Sequence, residues 1–255
     1  MKICQIPSSV GDGTPRQNLL SWLVNDSIAV DAGSLGLLTP LELQKQVRHI
    51  FLTHSHIDHV ATLPIFLDNV FTPDEQCPTI YGSRETLHSL RKHLFNDEIW
   101  PDFVALSEKG RPFLRLQVIE PEEPLLVNGL HITPVEVSHT VRTFSYLIND
   151  QAATVALIAD TGHPEKIIDS VGQLAKLKAV FLECSFPDEL QWLAEDSQHQ
   201  TPRLFSEQVS RLPADVEIYA THLKPAFDDS VRRELQALSD PRVRLLQPGI
   251  TYEFH

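Results

Sequence analysis

The chain has 255 residues, of which 42% are hydrophobic, and a formal net charge of -13 from 21 Lys and Arg against 34 Asp and Glu. This length and apolar content suffice for one α/β domain, or a close pair of halves, with a sizeable core. The acidic balance argues against a polymeric nucleic-acid partner, because affinity for such polyanions comes largely from basic groups that replace counterions.

Cysteine usage and hydropathy predict a cytoplasmic protein. Cys4, Cys77 and Cys184 are far apart and form no C-x-x-C pattern, which fits a reducing compartment. The start, MKICQIPSSVGDG, lacks the apolar segment of a signal peptide, and no stretch approaches the roughly 18 apolar residues of a membrane span. We therefore expect no export and no membrane partner.

Short aliphatic runs that end in polar clusters are predicted to be buried strands. In chain order they are SWLVNDSIAVDAG (21–33), HIFLTHSH (49–56), ATVALIADTG (153–162), AVFLECSF (179–186) and EIYATHLKP (217–225). Helical periodicity covers residues 59–70, 83–95, 164–177, 202–211 and 228–238. Strands alternating with helices predict an α/β layered fold, in one domain over residues 1–255.

Two further segments complete the prediction along the chain. Residues 97–124 are rich in Pro and charged residues and are predicted to form an elaborated surface connection. The last run, RVRLLQPGITYEFH (242–255), predicts a closing pair of strands around the turn QPG.

The motif HSHIDH at residues 54–59 brings together four side chains with lone pairs at neutral pH: His54, His56, Asp58 and His59. Lone-pair groups this close together repel one another and lose hydration unless a cation binds them. Imidazole and carboxylate suit Zn²⁺, and also Mn²⁺ or Fe²⁺, while the lack of a nearby cysteine argues against a thiolate-rich structural zinc site. On a tight loop His54 and His56 can face one ion, and Asp58 and His59 would then point to a second.

Two ions need more ligands, and three candidates follow apolar strands elsewhere in the chain: His139 in VEVSHT, Asp160 in LIADTG and His222 in YATHLKP. Each alone is more often a structural residue. Their shared position after a strand, combined with the strong motif, favours the ligand interpretation. A carboxylate such as Asp160 can bridge two cations with its two oxygens.

With these residues in place, the sequence resembles the metallo-β-lactamase superfamily, whose signature is H-x-H-x-D-H followed by a distant His, Asp and His. The resemblance covers roughly residues 20–225 and implies a four-layer αβ/βα sandwich with two divalent metal ions, most often zinc, at one edge of two facing sheets. It assigns His54, His56 and His139 to one metal, Asp58, His59 and His222 to the other, and Asp160 to both. The superfamily often dimerises, so the resemblance also suggests a homodimer.

Three segments are similar to the class II cyclic nucleotide phosphodiesterases, which hydrolyse the 3′ ester of cyclic AMP or cyclic GMP. They are LHSLRKHLFNDEIWPDF (87–103), LECSFPDEL (182–190) and THLKP (221–225). This resemblance implies a small-molecule phosphodiester substrate and hydrolysis of 3′,5′-cyclic nucleotides to 5′-nucleotides by a hydroxide shared between two metals. An RNase Z-like nuclease and an acyl hydrolase, a lactonase or thioesterase, stay open as alternatives, because one fold hosts all these activities.

Asp58 and Glu183 are the expected catalytic carboxylates. Glu183, in LECSF, resembles the glutamate of the HEAT motif in tRNA 3′ processing nucleases, although Leu182 stands where those nucleases have histidine. We expect Glu183 to orient His222 or a proton donor, since metal-bound imidazoles usually need a hydrogen-bond acceptor. The alternative is a plain buried acceptor.

The remaining candidates are weaker. Phe95 and Trp100 could stack on a purine, but such aromatic residues more often pack in a core. Arg142 either holds a phosphate oxygen or is a solvated loop charge. The other histidines lack ligand context and are expected to be structural or surface residues: His49, His88, His93, His131, His163, His199 and His255.

Overall fold

The computed structural model of the protein describes residues 1–9, 17–73, 76–110 and 112–255. The chain divides into two compact units. The first unit spans residues 2–120 and 248–253, and the second comprises Met1, residues 121–247 and residues 254–255. Each unit is described by itself below, and the expectation of one domain over residues 1–255 stays a prediction.

Strands and helices alternate along much of the chain. The strands are β1 (Lys2–Gln5), β2 (Trp22–Val24), β3 (Ile28–Val30), β4 (His49–Phe51), β5 (Thr79–Gly82), β6 (Arg115–Val118), β7 (Leu125–Val127), β8 (Leu130–Val137), β9 (Thr143–Asn149), β10 (Thr154–Leu157), β11 (Leu177–Glu183), β12 (Glu217–Thr221), β13 (Val243–Leu245) and β14 (Thr251–Glu253). The helices are α1 (Leu41–Gln44), α2 (Ile57–Val60), α3 (Leu63–Val70), α4 (Arg84–His93), α5 (Phe103–Glu108), α6 (Glu165–Val171), α7 (Gln191–Ser197), α8 (Pro202–Val209) and α9 (Asp228–Ala237).

The first unit is built on a mixed sheet whose described strands follow the order β14-β1-β2-β3-β4-β5-β6. β3 to β6 run parallel, whereas β14, β1 and β2 join antiparallel. Ile50 of β4, Phe66 of α3 and Leu87 of α4 meet in one buried core cluster. Because β3 and β4 are parallel neighbours, the residues that follow them leave the sheet at the same edge.

The second unit repeats this plan, with described strands in the order β13-β12-β11-β10-β9-β8-β7. β10 to β13 are parallel, and β7 to β10 pair antiparallel. Val180 of β11, Ile168 of α6 and Phe205 of α8 belong to its core cluster. The carboxyl ends of β10, β11 and β12 therefore lie side by side.

The predicted α/β class is confirmed, and the helices predicted at 83–95, 202–211 and 228–238 match α4, α8 and α9 closely. The helix predicted at 164–177 is too long: α6 ends at Val171, followed by Gly172, and β11 already begins at Leu177. The segment 59–70 forms two short helices, α2 and α3. Among the described residues, no helix combines the length and apolar character needed to cross a bilayer.

Two segment predictions are wrong. Residues 97–124 contain α5 and β6, because Phe103 buries itself in the core and β6 extends the parallel sheet beside β5. The closing strands β13 and β14 both form, but they do not pair with each other. β13 pairs with β12 and β14 with β1, since each adds to an edge of a different sheet.

Candidate metal and catalytic site

The HSHIDH motif begins just beyond β4, beside the end of β3. Asp31 follows β3 and is fully buried with a left-handed backbone, φ 61°. Its amide donates to the carbonyl of Phe51, 2.9 Å away, and its Oδ1 accepts from the amide of Thr53 at 2.8 Å. Asp31 therefore ties the start of the motif loop to the neighbouring strand.

The same carboxylate orients His59. Nδ1 of His59 lies 2.7 Å from Oδ2 of Asp31, and both side chains are fully buried. Burial raises the pKa of Asp31, an effect opposed by the adjacent His59 and the Thr53 donors. A hydrogen bond from Nδ1–H to Asp31 leaves Nε2 as the lone-pair nitrogen, 3.9 Å from Oδ2 of Asp58.

His54 and His56 face each other within the loop. The Thr53 hydroxyl lies 2.9 to 3.0 Å from the Asp31 oxygens and donates to that carboxylate, so His54 Nδ1, 2.9 Å from Thr53 Oγ1, is the donor in that pair. Nε2 of His54 is then 2.9 Å from Nδ1 of His56. Two imidazole nitrogens at this separation either share a proton or serve one cation.

Gly33 lets this loop approach the chain after β3. A Cβ at position 33 would lie 1.8 Å from the carbonyl oxygen of Asp58 and 2.7 Å from two backbone atoms of Leu20. The amide of Leu20 donates to that same Asp58 carbonyl at 2.8 Å. Only glycine fits between these backbones.

We predict that Gly33→Ala lowers the free energy of unfolding by about 3 kcal/mol or more, because the overlapping atoms belong to the backbone and must move. Gly82→Ala is the matched control, since the nearest atoms to its Cβ belong to the Leu87 and Thr86 side chains, with the end of Leu87 nearest at 3.3 Å. Chemical denaturation compares the variants with the parent protein. Equal stability of Gly33→Ala and the parent would contradict the packing described here.

The second unit brings Asp160, Glu183 and His222 together at the ends of β10, β11 and β12. Asp160 is 2% exposed and His222 9% exposed. His222 has a left-handed backbone, φ 57°, a conformation that is uncommon for non-glycine residues. Its Nε2 lies 3.4 Å from Oδ2 of Asp160.

His139 is half-buried and is oriented by the backbone. Its Nδ1 lies 3.1 Å from the carbonyl oxygen of Gln198, which fixes the proton on Nδ1. Burial lowers the pKa of His139 and favours the neutral imidazole that a metal requires.

Glu183 is 1% exposed, and both of its oxygens accept hydrogen bonds. Oε1 accepts from the amide of Thr161 at 2.9 Å and from Nδ1 of His199 at 2.8 Å, while Oε2 accepts from Ser185 Oγ at 2.7 Å. Burial raises the pKa of Glu183, but the interaction with the neighbouring His199 lowers it by more, so the pKa of Glu183 lies below its usual value. The contact with His222 expected from the sequence runs through Ser185.

His199 is one of two site residues that sequence reasoning missed. It is buried, and although burial opposes its charge, the Glu183 carboxylate raises the pKa of His199. A nitrogen of His199 lies within 4.8 Å of ligand atoms of His139 and Asp160. No strand or motif precedes His199, so no pattern in the sequence marks it. Asp31, also unassigned, shares with Asp160 its place after an apolar strand, and that signal could have found it.

The donor atoms left by these hydrogen bonds fit divalent cations. Within the first unit, the ligand atoms of His54 and His56 and those of Asp58 and His59 form close pairs; within the second unit, Asp160 and His222 do so. Their separations of 2.9, 3.9 and 3.4 Å bracket the roughly 3.3 Å between two ligands of one tetrahedral ion at about 2.0 Å. The other ring nitrogen of His54, His59, His139 and His222 meets a hydrogen-bond acceptor, as is usual for metal-binding histidines.

The weaker candidates have structural partners. Phe95 is fully buried, and the Trp100 ring packs edge-on against Phe103, with ring centroids 6.4 Å apart, as expected for core residues. Arg142 Nε lies 3.2 Å from Glu136 Oε1, and its guanidinium sits 5.2 Å from the centroid of the Phe144 ring.

Comparison with known proteins adds independent findings. Residues 20–159 match the family described as cAMP phosphodiesterases class-II. A probable 3′,5′-cyclic-nucleotide phosphodiesterase of Yersinia pestis is 26% identical and aligns with 98% of this chain and 87% of its own length.

Solved structures agree on the fold. Unliganded yeast PDE1 superposes with a TM-score of 0.79 at 19% identity, and the metallo-β-lactamase fold protein YhfI from Bacillus subtilis with 0.74 at 18%. Both alignments cover 98% of each chain. The expected metallo-β-lactamase sandwich is thereby confirmed as the fold.

Proposed function

The chain belongs to the class II cAMP phosphodiesterases, and from this premise we propose that it hydrolyses 3′,5′-cyclic nucleotides, cyclic AMP or cyclic GMP, to 5′-nucleotides with two bound divalent metal ions. The family match over residues 20–159, which includes the whole HSHIDH motif, carries the proposal. The enzyme is accordingly a hydrolase.

We assign the metals to the seven residues expected from the sequence: His54, His56, His139, Asp58, His59, His222 and Asp160. When bound, such a pair of ions acidifies water and neutralises charge on the phosphoryl oxygens. The hydrogen bonds from Nδ1 of His59, His139 and His222 to their acceptors support this assignment, since each holds Nε2 as the ligand atom. Zinc, manganese and iron all suit this nitrogen and oxygen set.

His199 is proposed to donate the proton that the departing 3′ oxygen of the ribose needs. Support comes from the Glu183 carboxylate, which accepts from Nδ1 and stabilises the protonated ring, so that Nε2 carries the transferable proton. Glu183 is then a positioning residue. An oxygen from water bonds to phosphorus as the bond from phosphorus to the 3′ oxygen breaks; the 3′ oxygen takes the proton from His199, and the attacking water loses a proton to solvent.

We predict turnover of cyclic AMP or cyclic GMP to the 5′-nucleotide, lost with EDTA and restored by added Zn²⁺ or Mn²⁺. The assay compares both cyclic nucleotides, bis(p-nitrophenyl) phosphate, a precursor tRNA and an acyl ester, with products identified by chromatography. Turnover of the acyl ester alone would replace the proposal with an acyl hydrolase, and cleavage of the tRNA alone with a nuclease.

Metal content tests the ligand assignment separately. We predict two divalent ions per parent chain after dialysis, and a loss of one ion or more in His59→Ala and in His139→Ala, because each variant removes a ligand. His88→Ala, at an exposed position of α4, is the matched control and should keep two ions. A parent protein that turns over cyclic nucleotides without bound metal would end the dinuclear proposal.

The proton-donor role predicts a dependence on the leaving group. Glu183→Gln and His199→Gln should lower kcat for the cyclic nucleotide by about 100-fold or more, the usual contribution of general acid catalysis, and His199→Gln should keep the parent metal content. The kcat of both variants for bis(p-nitrophenyl) phosphate should stay close to the parent value, because p-nitrophenolate departs without a proton. His163→Gln, an exposed position, controls for the substitution itself. An equal decrease in kcat for both substrates would exclude the role of His199 as a proton donor.

A further inference from the structure

Ser185 places a fully buried hydroxyl at the centre of the second unit's polar cluster. It lies two residues beyond the end of β11. Its Oγ is 2.7 Å from Oε2 of Glu183, 3.0 Å from both Nδ1 and the carbonyl oxygen of His222, and 3.4 Å from Nδ1 of His199. A single hydroxyl thus touches the carboxylate, a candidate metal ligand and the candidate proton donor.

The hydroxyl has one proton, and its neighbours decide where that proton goes. Glu183 as a carboxylate only accepts, and its 2.7 Å contact is the shortest of the four, so the Ser185 proton is donated there. If the proton went to the His222 carbonyl instead, the two oxygens without a proton between them would be the closer pair, at 2.7 Å rather than 3.0 Å, and one of them would carry the carboxylate charge. The Ser185 oxygen is therefore an acceptor toward Nδ1 of His222, and His222 must carry its proton on Nδ1.

The backbone around Ser185 holds the hydroxyl in place. The amides of Ser185 and Phe186 both donate to the carbonyl of Gln200, at 3.0 and 3.2 Å. The Ser185 carbonyl accepts from the amide of Lys224 at 3.3 Å. These main-chain bonds hold the backbone that carries the hydroxyl, and the contacts of Oγ with Glu183 and His222 hold its rotamer.

We propose that Ser185 is a positioning residue that fixes the Nδ1–H tautomer of His222 and presents its Nε2 lone pair to a divalent cation, relaying the negative charge of Glu183. The proposal rests on the metal-binding function proposed above. It sets His222 apart from His59, whose Nδ1 meets the Asp31 carboxylate directly at 2.7 Å. Glu183 thereby orients the candidate ligand His222 through Ser185, and it contacts His199 directly.

The first test measures metal affinity. Zn²⁺ is titrated into metal-free protein against a chromophoric chelator. In Ser185→Ala we expect one of the two affinities to fall about 10- to 100-fold, the usual effect of losing such a partner, with the other unchanged. Ser83→Ala is the control, since Ser83 is an equally buried serine whose hydroxyl contacts Thr86 in α4 and no candidate ligand. Parent-like affinities in Ser185→Ala would overturn the proposal, even if its thermal stability falls.

The second test needs no stable variant. In ¹⁵N-histidine-labelled, zinc-loaded parent protein, two-bond ¹H–¹⁵N spectra report which nitrogen of each imidazole bears the proton, and His222→Gln identifies the relevant signals by their disappearance. We expect a protonated Nδ1 and a metal-bound Nε2 for His222. A protonated Nε2 would overturn the role of Ser185. A parent chain that binds no zinc in the titration would instead defeat the proposed function, which keeps the two failures distinguishable.

Discussion

An imidazole can offer one nitrogen to a cation only if the proton sits on the other, and in a buried site that proton needs an acceptor. An unpaired polar group out of water costs more than a hydrogen bond returns. In this protein the requirement is met by Asp31 in the first unit, by Glu183 acting through Ser185 in the second, and by a backbone carbonyl at His139.

Parallel strands supply the geometry. Residues that follow neighbouring parallel strands leave the sheet at one edge, so a carboxylate from one strand meets a ligand from the next without a long loop. Asp31 and the HSHIDH motif use β3 and β4 in this way, and Asp160, Glu183 and His222 use β10 to β12. The left-handed backbones of Asp31 and His222 are strained, and hydrogen bonds from the Thr53 amide to Asp31 and from Nδ1 of His222 to Ser185 hold these residues in place.

The buried carboxylates of the two units differ in the residues that they orient. The Asp31 carboxylate serves the motif loop, through Thr53 and His59. Glu183 is shared between Ser185 and His199, which joins the orientation of a ligand to the proton supply of the proposed reaction. Hydrolysis of a cyclic nucleotide needs both functions at once, because the phosphoryl charge must be neutralised while the departing ribose oxygen gains a proton.

The sequence by itself determined the α/β class, three of the helices closely, and the candidate ligands from His54 to His222, because strand runs ending in His or Asp are local patterns. Tertiary structure decided the partners of those ligands. Asp31 lies 28 positions from His59, and Ser185 lies 37 from His222, so no local period connects them. It also decided that β13 and β14 join different sheets and that His199 reaches Glu183. Hydrogen bonds between distant residues depend on which strands become neighbours, and pairing of strands is settled by the burial of whole sheets rather than by any short stretch of chain.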